Sequence, residues 1–595
     1  MASKLPNETL QHIFSYIEDT KSLYSIIRVN HAWSQNSIKF LYKKPFRNDI
    51  KLNNQIEIVF RFLPFIEKDK DLSKYLRNFL LDEKDDDEEE DDDDSREKVE
   101  QDFTLPKHAM FDYPSFVTHL DFQNLFSVVT GIFLICKENF DVRKIEKQRQ
   151  PEQLERQESS PSSILEPSYL DKILSYVLTI LRIIMIRRAS ITWLKIDLKY
   201  EDIRAFLNVT ENDDDNWDEV DYEENFDSDE EHVDMLKVVR FYKTIFRIED
   251  CLKYHLDVTK NCFARLEYLN YGRIFSKLNV LRILSNTCKF LKTIQIEEHD
   301  LSNIQEPLTS LIKSQHQLEH IRIIGNDNSR DNYNDEGVFE IMTSLETVAG
   351  TLKRIEFLKL CVRNEEAFKF LIGCENLESL YLEDSYITLK NIEWISLADL
   401  SKLGCLKLIN NQSNEELSVM KINPFEKIFL NKKISSNLHE ILLQNPFMNN
   451  FNLLRSVGEN CKNLVFFSTY IVTEQDIRNL FIILENCSKL ELLNFCYISE
   501  VYTIKEDFII NLAKRLPGCL LCLGLYGLIR YIYEFRYFLE NCAVNLKLLV
   551  VRNSYGFDKF AEYEELVRRW SEEKGITIKE FRNINDKDLF LIKWE

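Results

Sequence analysis

Apolar residues in the C-terminal half of the chain recur in a fixed short pattern, Leu-x-x-Leu-x-Leu with conservative replacements. It begins at Leu266, Leu291, Leu318, Leu352, Leu377, Leu403, Leu438, Leu464, Leu490, Leu520 and Leu546. Successive starts lie 25, 27, 34, 25, 26, 35, 26, 26, 30 and 26 residues apart, a basic period near 26 with occasional insertions. Side chains alternate along a strand, so the second and third leucines of each ladder point to one face. Between ladders the period changes. In Asp476–Asn486 the apolar residues Ile477, Leu480, Phe481 and Leu484 fall at i, i+3, i+4 and i+7, which predicts a helix. Phe339–Ala349, Phe508–Leu516 and Glu534–Leu539 carry the same spacing.

A strand followed by a helix at this period is the pattern of a leucine-rich repeat. The fold class expected is α/β, a horseshoe with parallel strands on the concave side and helices on the convex side. Clear repeats span 266–551. Two fainter ladders, VTHLDF from Val117 and ITWLKI from Ile191, stand 74 and 75 residues before the next one. The solenoid is therefore expected over 105–595, with degenerate repeats or insertions filling the gaps. Cys288, Cys374, Cys461 and Cys487 each precede a ladder leucine by three residues, and Cys542 by four. A small thiol suits the tight turn between helix and strand. The only Cys-x-x-Cys, Cys519 and Cys522, has no second knuckle to complete a metal site.

Residues 5–46 have another texture, with three short amphipathic stretches. Asn7 is a candidate cap for a helix carrying Leu10, Ile13, Phe14 and Ile17. Leu23, Ile26 and Ile27 suggest a second helix, and Trp33, Ser37, Phe40 and Leu41 a third. A module this small cannot cover all its apolar side chains, and those left over would form a docking face. The order Leu5-Pro6-x-Glu8-x-Leu10-x-x-Ile13-Phe14-x-x-Ile17, then Leu23, then Val29-Asn30-x-x-Trp33, resembles an F-box. Ile17 stands where that family commonly has leucine, and Tyr42 where tryptophan is common.

The resemblance implies binding to the Skp-type adaptor of a cullin ubiquitin ligase. Carried over position by position, the adaptor-binding residues would be Leu5, Pro6, Leu10, Ile13, Phe14, Ile17, Leu23, Val29 and Trp33. An F-box followed by leucine-rich repeats is itself a familiar family architecture, in which the repeats recruit a protein substrate. The reading is thus of a substrate-recognition subunit, itself not an enzyme. The alternative is a leucine-rich interaction scaffold or sensor outside any ligase.

Charge changes the picture in one respect. The net charge is −22, but Asp82–Asp94 holds 12 acids and one lysine, and Glu211–Glu231 holds 13 acids and no base. Outside these runs the chain is nearly neutral, which argues against nucleic-acid binding. The segments 82–100, 144–167 and 211–231 are polar or acidic and are expected as disordered insertions. No apolar run is long enough for a membrane span, the first residues lack a signal-peptide core, and 13 cysteines are too dilute for a disulfide scaffold. An intracellular protein, cytoplasmic or nuclear, is expected, with neither membrane nor nucleic-acid partners.

No catalytic or cofactor-binding motif stands out, and no cofactor or metal is expected. His316-Gln-Leu-Glu319-His320 spells an inverted zinc-protease order, but Glu319 and His320 fall inside a strand ladder rather than on a helix. The third and fifth residues of each ladder, and the one just after it, are expected on the concave face. Among them Arg322, Arg354, Tyr381, Phe466, Tyr470 and Tyr526 are the candidate substrate contacts. Arg322 and Arg354 could read an acidic or phosphorylated motif, or could pair with Glu356.

Overall fold

The computed structural model describes residues 5–17, 19–46, 112–131, 189–196, 262–272, 280–298, 301–325, 335–409, 425–444, 451–497, 506–529, 531–552, 560–575, 577–583 and 589–594, with single positions at 58, 62, 177, 180, 181 and 183–185. The acidic runs Asp82–Asp94 and Glu211–Glu231 and the segment 144–167 lie outside them. The chain divides into two compact units, Met1–Ile296 and Glu297–Glu595.

The first unit opens with three helices, α1 (Asn7–Ser15), α2 (Thr20–Ile27) and α3 (His31–Leu41). Leu10, Phe14, Leu23, Ile38 and Leu41 form their shared core. Asp19 caps α2 by accepting from the backbone N–H groups of Lys21 and Ser22, and Asn30 caps α3 by accepting from Trp33 N–H. Asn7 does not cap α1. The helix begins on Asn7 itself, after Pro6, and the Asn7 amide oxygen accepts a 2.9 Å bond from Asn36 Nδ2. Asn36 in turn accepts from Gln11 Nε2, so a part-buried amide network ties α1 to α3 where the sequence suggested a local cap.

Four parallel strands follow in this unit: β1 (His119–Asp121), β2 (Trp193–Ile196), β3 (Tyr268–Tyr271) and β4 (Thr293–Glu297). The two faint ladders are therefore true repeat strands. β1 pairs directly with β2, and β2 with β3, so the long intervals between them are insertions that add no strand between neighbours. The helical module is joined to the first repeat through backbone, since Thr118 and His119 both donate to the Lys43 carbonyl.

The second unit carries β5 (His320–Ile324), β6 (Arg354–Leu358), β7 (Cys361–Val362), β8 (Ser379–Glu383), β9 (Tyr386–Ile387), β10 (Cys405–Ile409), β11 (Glu440–Gln444), β12 (Phe466–Ile471), β13 (Leu492–Tyr497), β14 (Cys522–Tyr526) and β15 (Leu548–Arg552), followed by β16 (Ile578–Asn583) and β17 (Leu589–Trp594). From β5 to β15 the sheet is parallel and in register, with β7 and β9 set apart as a separate pair. Burial alternates residue by residue in β5, β8, β10, β11 and β13 as the ladders require. Helices expected from the 3.6-residue period are present at Asp335–Ser344, Glu474–Asn486, Glu506–Arg515 and Ile532–Asn541. The end of the sheet departs from a uniform solenoid. β17 runs antiparallel to β15, and β16 antiparallel to β17.

The repeat cysteines sit in the turns, and Cys288 and Cys487 donate to carbonyls of the preceding repeat. Cys288 Sγ lies 3.2 Å from the Phe263 carbonyl and Cys487 Sγ 3.3 Å from that of Cys461. Burial pushes the Cys288, Cys374 and Cys487 thiols up to about 12, so they stay protonated and unreactive at neutral pH.

Candidate functional site

Two surfaces come into question, the helical module and the open face of the repeat strands. In the module, α3 packs against both α1 and α2, and this sorts the apolar residues into two sets. Phe14 is 1% exposed and meets the Trp33 ring edge to face at 5.4 Å. Leu10 and Leu23 are likewise buried. These three expected contact residues are the module's own core, and they support any docking face from beneath. Turned outward are Leu5, Pro6, Ile13 and Val29, with Ile17 and Trp33 half-buried. Ile13 is 44% exposed and Val29 56%. Tyr16, at 73%, is also exposed, and it lies outside the apolar stripe Leu10, Ile13, Phe14, Ile17, so the periodic pattern gives it no signal. Trp33 Nε1 is buried and has no acceptor among the described residues.

On the strands of the second unit, register decides which open-face residues meet. One row runs His320, Arg354, Ser379, Cys405, Glu440, Phe466, Leu492, Cys522, Leu548. The next runs Arg322, Glu356, Tyr381, Lys407, Leu442, Ser468, Asn494, Gly524, Val550. Arg322 therefore stands directly opposite Glu356, with Arg354 diagonal to it. Arg322 Nη1 lies 3.5 Å from one Glu356 oxygen and His320 Nε2 3.2 Å from the other, the latter without hydrogen-bond geometry. Burial pushes the Glu356 carboxyl up, but His320, Arg322 and Arg354 outweigh it and hold the group below the usual carboxylate range. Glu356 thus occupies the position an incoming anion would take between the two arginines.

The same self-pairing continues downstream. Tyr381 donates to Glu383, and burial together with that carboxylate raises its phenol well above the ordinary value. Lys407 binds Glu440 at 2.7 Å. Beyond β11 the face changes character. Phe466 lies half-buried in the first row next to Leu492. Tyr470 and Tyr526 face out from β12 and β14 with Cys496 of β13 between them, and burial raises both phenols. Gly524 lets the Asn494 side chain and the Tyr526 ring come close, since a Cβ there would force them to shift. The six expected contact residues therefore split three ways: Arg322 and Tyr381 are engaged with Glu356 and Glu383, Arg354 stands exposed beside them, and Phe466, Tyr470 and Tyr526 form an aromatic group on the later strands.

The inverted zinc-protease order is dismantled by the fold. His316 is an exposed bend residue and His320 a strand residue, so the two never share a helical face. Among the described residues, no helix is long and apolar enough to cross a membrane.

Residues 2–48 match the F-box-like family. No curated protein matches the chain. Among solved structures the chain is similar to an internalin from Listeria monocytogenes, at 15% identity over 49% of this chain and 75% of that one, with a TM-score of 0.23. A score that low lends no weight, and the repeat assignment rests on the strand register. The chain carries an F-box-like domain followed by leucine-rich-repeat strands, the architecture of a protein-interaction adaptor.

Proposed function

We propose that this protein is the substrate-recognition subunit of a cullin-type ubiquitin ligase. The F-box-like module would bind a Skp-type adaptor, and the repeat strands would hold a protein substrate. The observation carrying this reading is the outward set Leu5, Pro6, Ile13, Tyr16 and Val29 on a module whose core is already complete without them. Exposed apolar side chains grouped on so small a domain mark a surface that is covered by a partner. Leu10, Phe14 and Leu23 hold the helices that present them. Catalysis by such a subunit is proximity, since it raises the concentration of substrate lysines near a charged ubiquitin-conjugating enzyme.

Co-purification tests the reading. Wild-type chain is expected to capture a Skp-type adaptor, and Ile13→Glu with Val29→Glu is expected to lose it. Both side chains are exposed, so the variant keeps its fold. Capture at the wild-type level by that variant would remove the adaptor assignment.

A further inference from the structure

The first unit carries an aromatic row on its open face that the repeat pattern does not require. Strand register places His119, Trp193 and Tyr268 side by side on β1, β2 and β3. The His119 and Trp193 rings stack at 5.9 Å with 18° between their planes, and Trp193 and Tyr268 at 5.0 Å with 7°. All three are half-buried. Rings stacked face to face cover one another and leave their edges outward, so the row presents a flat apolar strip rather than a cage for a cation. On β4 the row ends at Thr293.

The groups around the strip are largely committed to one another. In the neighbouring row Lys195 lies 3.8 Å from Asp121 and donates to Gln123, while Tyr268 Oη and Asn270 Nδ2 both donate to Gln295 Oε1. Glu267 is paired with Lys292 at 3.0 Å. At the His119 end the position is different. The Lys43 carbonyl accepts His119 N–H at 3.1 Å, which fixes Lys43 and its neighbour Lys44 beside the strip. Both lysine side chains are exposed, and neither has an ion-pair partner among the described residues. Among the described residues, the uncommitted charge at this end of the strip is therefore positive.

We infer that the His119–Trp193–Tyr268 strip, with Lys43 and Lys44 at its end, is a docking site for an acidic segment of a partner protein. An apolar side chain of that segment lies along the ring edges, and its clustered carboxylates face the two lysines. The inference extends the receptor reading by naming the chemistry of the recruited segment, and its test does not involve the adaptor.

The probe is a short dye-labelled peptide with aspartates flanking a Leu-Tyr core, titrated against the full-length chain by fluorescence anisotropy. A peptide with asparagine at every aspartate serves as comparison. Binding of the acidic probe is expected to weaken as salt rises and to exceed that of the asparagine peptide. Lys43→Glu with Lys44→Glu is expected to weaken it about tenfold, since each exposed pair contributes modestly. Trp193→Ala is expected to cost roughly thirtyfold, the scale of a buried aromatic anchor. Trp193→Phe, which keeps a ring in the stack, recovers most of that loss. If Trp193→Ala unfolds the unit, the lysine variant and the asparagine peptide decide alone. Equal binding of both peptides, unchanged affinity of the lysine variant, or no binding by wild type overturns the inference. So does binding that emerges only after deletion of Asp82–Asp94 and Glu211–Glu231, because the site's occupant would then be the chain's own acidic segment.

Discussion

The helical module and the open face of the later repeats dispose of their side chains in opposite ways. On strands β5 to β11, polar residues answer one another: Glu356 lies against Arg322 and His320, Lys407 against Glu440, and Tyr381 against Glu383. Such a face is nearly complete in the free protein, and a ligand must break pairs before making new ones. The module shows the reverse. Its core closes over Leu10, Phe14 and Leu23, yet Ile13, Tyr16 and Val29 remain exposed, and Trp33 Nε1 has no acceptor among the described residues. Under the proposed function, the module's exposed face is the one the adaptor covers, and a ligand of the repeat face has pairs to displace.

The largest effect that would sharpen this contrast comes from the module's core. Phe14→Ala removes a ring 1% exposed and should destabilise the module by about 3 to 5 kcal/mol. A module this small would then unfold, losing helical signal and adaptor capture together. The repeats should melt as before, which calorimetry of the full chain would resolve. Next comes the self-paired face. Glu356→Gln removes the anion shared by Arg322 and His320 and should cost about 1 to 2 kcal/mol, read as a lower melting temperature. If the variant instead gains affinity for acidic peptides, Glu356 is occupying an anion site.

A smaller effect depends on pH. Burial, followed by the charges of Lys44 and Lys43, brings His119 down to about 4 from an unfolded value of 6.5. The unfolded chain therefore binds a proton that the folded chain refuses. Stability is full above pH 6.5 and declines as pH falls toward 4. Asp121 and Lys195 are the charged residues of the adjoining row on β1 and β2. Asp121, raised by burial, acts in the opposite sense, but nearer its ordinary carboxylate range. Because His119 is partly exposed, screening leaves on the order of 1 kcal/mol. His119→Asn should flatten the fall in melting temperature between pH 7 and pH 5. Smallest of all is deletion of Asp82–Asp94 and Glu211–Glu231, expected to leave the melting temperature within a few degrees. Like-charged runs bury no apolar surface.

The repeats were legible because burial on a strand has a period of two, which leaves Leu-x-x-Leu-x-Leu in the sequence even at Val117 and Ile191. What the sequence did not show depends on partners distant along the chain. The stack of His119, Trp193 and Tyr268 draws one ring from each of three strands separated by long insertions, so no local pattern announces it. The strands β16 and β17 run antiparallel and carry no ladder motif. Within the module, Ile13 and Phe14 are adjacent and equally apolar, and only the position of α3 decides that one is core and the other surface. Asn7 reads as a cap locally, while its actual partner, Asn36, lies on another helix. The candidate site was thus visible as a set of residues but not as a division into support and contact.

Under the proposed function, the module's exposed apolar face, and not exposed aromatic surface in general, binds a Skp-type adaptor. The stacked pair Tyr531 and Tyr533 in the second unit, also exposed, supplies the control. Calorimetric titration of the adaptor into the full-length chain measures the comparison directly. The account predicts tight binding by wild type and by Tyr531→Glu with Tyr533→Glu, and a loss of at least about 2 kcal/mol for Ile13→Glu with Tyr16→Glu. Equal affinity of all three proteins, or no binding by the wild-type chain, would contradict it.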